Sequence, residues 1–361
     1  MTNKFLTTFL FIATIFVTSC SDDDTAQGPI DVVIEGATVE PEVGGSNEPN
    51  QVYVDLSTNT TSVAQRDSWD LGFYSGSDFR VVINGSIYMA TAELSTNDIT
   101  AINSSSTEVQ DLQPQVAVGT FDASNMAYID APFGQITETA IDAISSINED
   151  NNVYLVNLGF EVATEPASTG SVAVTGDARG WKKIRILRGA DNYILQYADL
   201  DDTTYEEVAI SKDSNYNFTF FSFNTETEVN VEPQKSQWDL NFTVFTNEIE
   251  GYGSYGYSDF VVTNTKGGAI SYMIDVETTD YTYENFTLAD VATIAFDNDQ
   301  RNIGSTWRNG GGPGSLPSLR DNVFYIVNDT NGNYYKLKFL AMFNADGERG
   351  HPQFEYSLLE E

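Results

Sequence analysis

The sequence predicts an all-β protein, and three observations predict it. The body is a succession of short β-branched or aromatic runs, each bounded by Asn, Gly, Asp or Ser. A set of these runs occurs twice in the same order. One stretch alone, Thr137–Ile147, reads as a helix, with Ile141, Ile144 and Ile147 at three-residue spacing. The chain has 361 residues, enough for two or three domains and a sizeable core. Its 22 Phe and 19 Tyr exclude a disordered acidic chain.

The elements follow in order. Lys4 precedes an apolar run, Phe5 to Val17, of signal-peptide length and too short for a bilayer span. It ends in Val17-Thr18-Ser19-Cys20, which resembles the lipobox of bacterial lipoproteins. The resemblance implies a signal peptide at 1–19 and acylation of Cys20. Asp22, Asp23 and Asp24 resemble the surface-export signal of Bacteroidota lipoproteins, which implies the outer face of the outer membrane. Residues 20–44, with Pro29, Pro41 and Gly44, read as a tether carrying one short strand at Asp31–Glu35.

The body then repeats. Ser68-Trp-Asp-Leu-Gly-Phe73 matches Gln237-Trp-Asp-Leu-Asn-Phe242, and Asp78-Phe-Arg-Val-Val82 matches Asp259-Phe-Val-Val262. Asn152-Val-Tyr154 matches Asn322-Val-Phe324, and Lys183-Ile-Arg-Ile-Leu187 matches Lys336-Leu-Lys-Phe-Leu340. Tyr197–Leu200 matches Tyr356–Leu359. Cutting near Ile210–Tyr216 gives two tandem β-sandwich domains, 45–212 and 213–361. In Trp-Asp-Leu-x-Phe the apolar residues alternate and face a core. Asp70 and Asp239 then face away or bond to a neighbouring turn.

The whole body, and especially residues 216–361, resembles the HmuY-like lipoproteins of Bacteroidota. The residues that carry this are Tyr216–Phe223, Ser236-Gln-Trp-Asp-Leu240, Ser258–Asn264, Asp321–Val327 and Tyr335-Lys-Leu-Lys-Phe339, with Trp69-Asp-Leu and Arg80–Asn84 in the first half. The resemblance implies antiparallel β-sandwiches, a surface location, and haem capture for a TonB-dependent outer-membrane receptor. It also implies axial His or Met ligands from loops, one of them before the strand at Asn322–Val327. Thr306–Gly314 occupies that place without either residue type, as does Ile144–Asn152 in the first half.

Charge and composition narrow the chemistry. With 17 Lys and Arg against 53 Asp and Glu, the net charge is −36. Such a surface repels phosphate backbones and anionic headgroups, which excludes nucleic-acid binding and leaves the lipid anchor as the only membrane contact. One Cys and one His exclude zinc clusters, disulfide frameworks and Cys–His catalysis. The acids are too many to single out a catalytic pair, and the chain reads as non-enzymatic. Asp329-Thr-Asn-Gly-Asn333 reads as a hairpin turn rather than a calcium loop.

Beyond Met1, the methionines are Met89, Met126, Met273 and Met342. Met126, between loop residues, is the best-placed haem axial ligand. Met89, Met273 and Met342 lie in apolar strands and read as core. His351, in Gly350-His-Pro352, reads as an exposed turn. Lys183 and Arg185 share one strand face and are candidates for haem propionates or a partner's acids. Tyr252, Tyr255 and Tyr257, spaced only by Gly and Ser, read as a projecting contact loop rather than a period-2 strand. Two functions follow: haem capture and delivery, or a non-haem surface module for a glycan, peptide or receptor.

Overall fold

The computed structural model describes residues 33–311 and 315–360. Cys20 and Asp22–Asp24, the expected lipidation and export signals, lie outside the described residues. Among the described residues eighteen strands of three or more residues form, nine in each repeat. The first nine are β1 (Gly36–Val39), β2 (Asn50–Asp55), β3 (Thr60–Gln65), β4 (Leu71–Tyr74), β5 (Val81–Ile83), β6 (Ala90–Glu93), β7 (Val153–Asn157), β8 (Trp181–Arg188) and β9 (Tyr193–Asp199). Their counterparts are β10 (Glu206–Ile210), β11 (Phe218–Ser222), β12 (Thr227–Val229), β13 (Leu240–Ile249), β14 (Gly253–Thr263), β15 (Ile270–Asp275), β16 (Val323–Asn328), β17 (Tyr334–Phe343) and β18 (Arg349–Leu358).

The repeats interlock. The two outer sheets run β10-β9-β8-β7-β6 and β1-β18-β17-β16-β15, and the two inner sheets run β12-β11-β4-β5 and β3-β2-β13-β14. Each repeat therefore sends its first three strands into the sheets of the other. Val52 and Val54 join Leu240, Phe242, Tyr335 and Phe354 in one core. Phe221 and Phe223 join Leu71, Phe73, Ile184 and Leu195 in the other. The expected division at 212 is corrected by this exchange: β4 pairs with β11 and β13 with β2 across it, and residues 33–361 cluster as one unit. The tether is shorter than expected as well. Asp31–Glu35 is not a strand among its described residues; the strand is β1, paired with β18, and Val39 and Val43 are buried.

The Trp-Asp-Leu motif makes the exchange. Asp70 N–H donates to Phe221 O (2.8 Å), and its Oδ2 accepts from Phe223 N–H (2.6 Å). Asp239 N–H donates to Val54 O (2.8 Å), and its Oδ2 accepts from Leu56 N–H (2.9 Å). Both carboxylates are buried. Asn84 and Asn264 brace the same bends: each Nδ2 donates to the carbonyl of its repeat's Trp, at 2.8 Å. The repeats differ at the second carboxylate oxygen. Asp70 Oδ1 meets the buried Arg179 guanidinium at 2.6 Å, whereas Asp239 Oδ1 takes only the Thr330 N–H at 2.8 Å.

The expected helix at Thr137–Ile147 does not form. Its N–H groups bond outward instead of along a helix: Ala140 to Asp130 Oδ1, Asp142 to the Tyr154 hydroxyl and Ile144 to Phe79 O. Ile141 and Ile144 still reach the core, and Ile147 is exposed. Among the described residues the one α-helix is Thr107–Leu112. Asp329 closes the β16–β17 turn as expected, accepting from Asn331 and Asn333 N–H.

Two predictions follow from the motif. Asp70→Ala leaves the buried Arg179 charge with only the exposed Glu161 at 3.5 Å and orphans an N–H, so urea unfolding should show a loss of about 3–5 kcal/mol. Asp239→Ala strands only backbone donors and should cost about 1–3 kcal/mol. Equal losses would refute the distinction. Burial pushes the Asp239 carboxyl up to about 7, partly offset by the Leu56 and Thr330 N–H groups. Between its unfolded value near ~4 and that folded value, the native state holds the extra proton. Its contribution to stability therefore falls as pH rises through this window. Asp239→Asn should flatten the curve of melting temperature against pH there, and a parallel curve would show that the carboxyl does not titrate in the fold.

Candidate functional site

Tyr255 and Tyr257 lie on a strand, which corrects the expected loop, while Tyr252 stays in the turn before it. β13 and β14 form a long hairpin in which Asn247 faces Tyr255 and Glu248 faces Ser254. Glycine makes its docking feasible. A Cβ at Gly253, whose φ is +86°, would lie 2.2 Å from Asp122 O, and one at Gly256 would lie 2.0 Å from the Tyr88 ring. The hairpin thus lies flat on the segment before Met126: Gly119 N–H donates to Ser254 O (3.0 Å), and Ser254 N–H donates to Asn125 Oδ1 (2.6 Å).

This docking brings Phe121 beside Tyr255, with Tyr252 exposed at the hairpin's turn. Tyr252 and Tyr255 are 59% and 41% exposed, and Phe121 is 62% exposed. The Phe121 and Tyr255 ring centroids are 5.8 Å apart. Tyr257 is half-buried and packs between Tyr255 and Phe260, so it supports the cluster rather than presenting itself. Phe121 was not legible as a site residue. The Asp122 cap on Ser124 marks only a turn.

Met126 lies in the 3-10 turn Ala123–Tyr128 and is half-buried. It lines a pocket of about 560 Å3. The structure therefore places Met126 one residue beyond Asn125, which anchors the tyrosine hairpin. The charged residues of the pocket are Glu93, Glu138, Asp142 and Glu248. Its lining holds no Lys, Arg or His and no second Met. The nearby Arg301 is committed to Asp299 (2.8 Å) and Glu248 (3.6 Å).

These residues do not fit a haem. A six-coordinate iron needs a second axial ligand, and the propionates need cations; the pocket offers four carboxylates instead. Lys183 and Arg185 do not compensate, which corrects their expected role. Lys183 is fully buried, its Nζ donating to Ile102 O (2.6 Å) and Asp202 O (2.7 Å). Arg185 donates to Asn151 O and Asn148 O. Met89 and Met342 are core, and Met273 packs against it. His351 is on β18, half-buried between Glu40 and Glu348, rather than in an exposed turn. Among the described residues no three His, Cys, Asp or Glu side chains gather as a metal site.

The HmuY family model, described as HmuY protein, matches residues 47–356 in a single span. Among solved structures, the chain is similar to an apo HmuY analogue from Tannerella forsythia. Identity is 12%, coverage is 92% of this chain and 100% of that one, and the TM-score is 0.24. It is also similar to apo PinO from Porphyromonas gingivitis, at 16% identity, 48% and 94% coverage, and a TM-score of 0.17. A comparison with curated proteins gives no match.

Proposed function

The chain belongs to the HmuY family, and from that premise we propose that it is a non-enzymatic, lipid-anchored surface protein that binds a non-haem partner. The contact is the Phe121, Tyr252 and Tyr255 cluster beside the Met126 pocket. The observation that carries this reading is the composition of that pocket, with four carboxylates, one thioether and no cation. A dianionic porphyrin entering it would be repelled, and its iron would find a single soft ligand. Exposed rings held on a rigid hairpin suit the face of a sugar or a peptide side chain, because they bury area with little loss of side-chain entropy.

Attachment is read from Cys20 and the acids after it. No helix among the described residues is long and apolar enough to cross a membrane. The acidic surface keeps the body off anionic lipid, so the anchor alone sets the location.

A haem titration followed by absorbance, under oxidising and reducing conditions, should give no Soret shift. A shift that disappears in Met126→Ala would overturn the non-haem reading. On an array of glycans and peptides, the Tyr252→Ser, Tyr255→Ser double variant should lose at least about tenfold in affinity, or about 1.4 kcal/mol, with an unchanged melting temperature. Retained binding, or binding lost together with stability, would count against the cluster. For the anchor, Cys20→Ala should move the protein from membranes to soluble fractions, and its retention there would contradict acylation.

A further inference from the structure

The two inner sheets both line a second void, of about 180 Å3. Its aromatic walls come in related pairs. Trp69 stands edge-on to Phe220, with centroids 4.7 Å apart, and Trp238 edge-on to Tyr53 at 5.0 Å. In each pair the Trp belongs to one repeat and its partner to the other. The void is close in size to the cavity of about 150 Å3 that takes up a single benzene ring in an engineered core.

Polar groups at this cavity are incompletely matched. Trp69 Nε1, Trp238 Nε1, Gln51 Nε2 and Asn241 Oδ1 are buried and have no hydrogen-bond partner in the protein, and all four residues line the cavity. Buried groups of this kind are ordinarily satisfied, so four at one void call for an occupant. Three of the four are donors. A fourth donor is Lys266, half-buried, whose Nζ reaches only Gln300 Oε1, at 3.4 Å. Among the described residues the lysines in ion pairs are Lys182 and Lys338, so Lys266 has no carboxylate within ion-pair distance; burial lowers its pKa, and the nearby Glu232 and Asp130 carboxyls partly offset that.

The acids at the cavity are otherwise engaged. Glu232 Oε1 accepts from Phe218 N–H (2.9 Å), and Asp130 accepts from Ala140 and Ile83 N–H through both oxygens, each at 2.9 Å. Burial pushes Glu232 up to about 8. At neutral pH it is protonated and adds a donor rather than a repelling charge. Asp130, raised by burial to about 6, remains the one anionic group there.

We propose that this inner cavity is a binding site for a single-ring aromatic carboxylate, its ring between the two Trp–aromatic pairs and its carboxylate at Lys266. The ring matches the volume and the aromatic walls. The carboxylate supplies the acceptors that the indole, amide and ammonium donors lack. The site is separate from the hairpin cluster, although Ile129, Ala131 and Pro132 line both this cavity and the Met126 pocket.

The test uses the full chain with benzoate and benzyl alcohol as probes, at neutral pH, read by calorimetry, tryptophan emission and melting temperature. Benzoate should bind saturably, shift the emission and raise the melting temperature with concentration. Benzyl alcohol should bind at least about tenfold more weakly. Lys266→Met should bring the two probes to equal affinity. Lys266→Gln serves where the Met variant does not fold, and the wild-type probe comparison stands without either. The Tyr252→Ser, Tyr255→Ser variant should bind benzoate as the wild type does, which separates this site from the hairpin reading. No saturable binding up to about 10 mM, meaning a cavity filled by water only, would overturn the proposal, as would a preference for benzoate that survives loss of the Lys266 charge.

Discussion

Two buried carboxylates, Asp70 and Asp239, hold the architecture together. Each sits where its strand leaves a bend, and each binds the backbone N–H of a strand that has crossed from the other repeat. Burying a carboxylate is unfavourable unless donors surround it. The crossing strand supplies one such donor, so the carboxylate and the exchange require each other. Without the crossing strand each Asp would be buried with a missing partner; without the Asp, Phe223 and Leu56 would carry orphaned N–H groups. The repeats thus cannot come apart into two closed sandwiches at no cost.

The functional features arise where the repeats stop matching. β4 and β5 are four and three residues long, whereas β13 and β14 have ten and eleven. The extra length forms the tyrosine hairpin, and the segment after the first repeat's helix receives it through Asn125. The inner cavity shows the same logic. Its paired aromatics obey the repeat, while Lys266, Glu232 and Asp130 do not, because the residues matched to the Asn264-Thr-Lys266 turn are Asn84-Gly-Ser86. Symmetry supplies a hydrophobic frame, and its local failure supplies the chemistry.

The all-β class, the strand runs and the repeat were legible because period-2 burial acts within a few residues of itself. Trp69, Leu71 and Phe73 are buried as their alternation requires, and so are Trp238, Leu240 and Phe242. The exchange was not legible. β2 and β11 carry similar patterns, and either would satisfy the edge of β4 or β13 by alternation alone; the choice is made by Asp70 and Asp239 at long range. The helix expected at Thr137–Ile147 failed for a related reason, since the Asp130 carboxylate, the Tyr154 hydroxyl and the Phe79 carbonyl take its N–H groups. At the candidate site, Met126 and the tyrosines stood out by type and spacing. Phe121 and Lys266 did not, because nothing local separates an exposed Phe or a cavity Lys from any other. Lys183 and Arg185 stood out as scarce cations, and that scarcity misled: their donors serve backbone carbonyls inside the fold.

Where the cations go decides what the exterior can recognise. Arg66, Lys183 and Arg349 are buried, and Arg179 and Arg308 have nearly buried side chains. Buried acids are at least as numerous, among them Glu48, Asp55, Asp70, Glu232, Asp239, Asp259 and Asp329, so the interior takes up cations and acids together and the solvent-facing surface keeps the strong negative excess of the composition. Anionic ligands are repelled over about a Debye length, roughly 8 Å in physiological salt. Only contacts that need no counter-charge escape this field, and exposed rings provide them. Phe121, Tyr252 and Tyr255 form such a patch beside an acid-lined pocket. A neutral or cationic partner would be drawn to the pocket by charge and held at the rings by burial. A site for an anion is better sustained in the inner cavity, beside Lys266, which has no carboxylate within ion-pair distance.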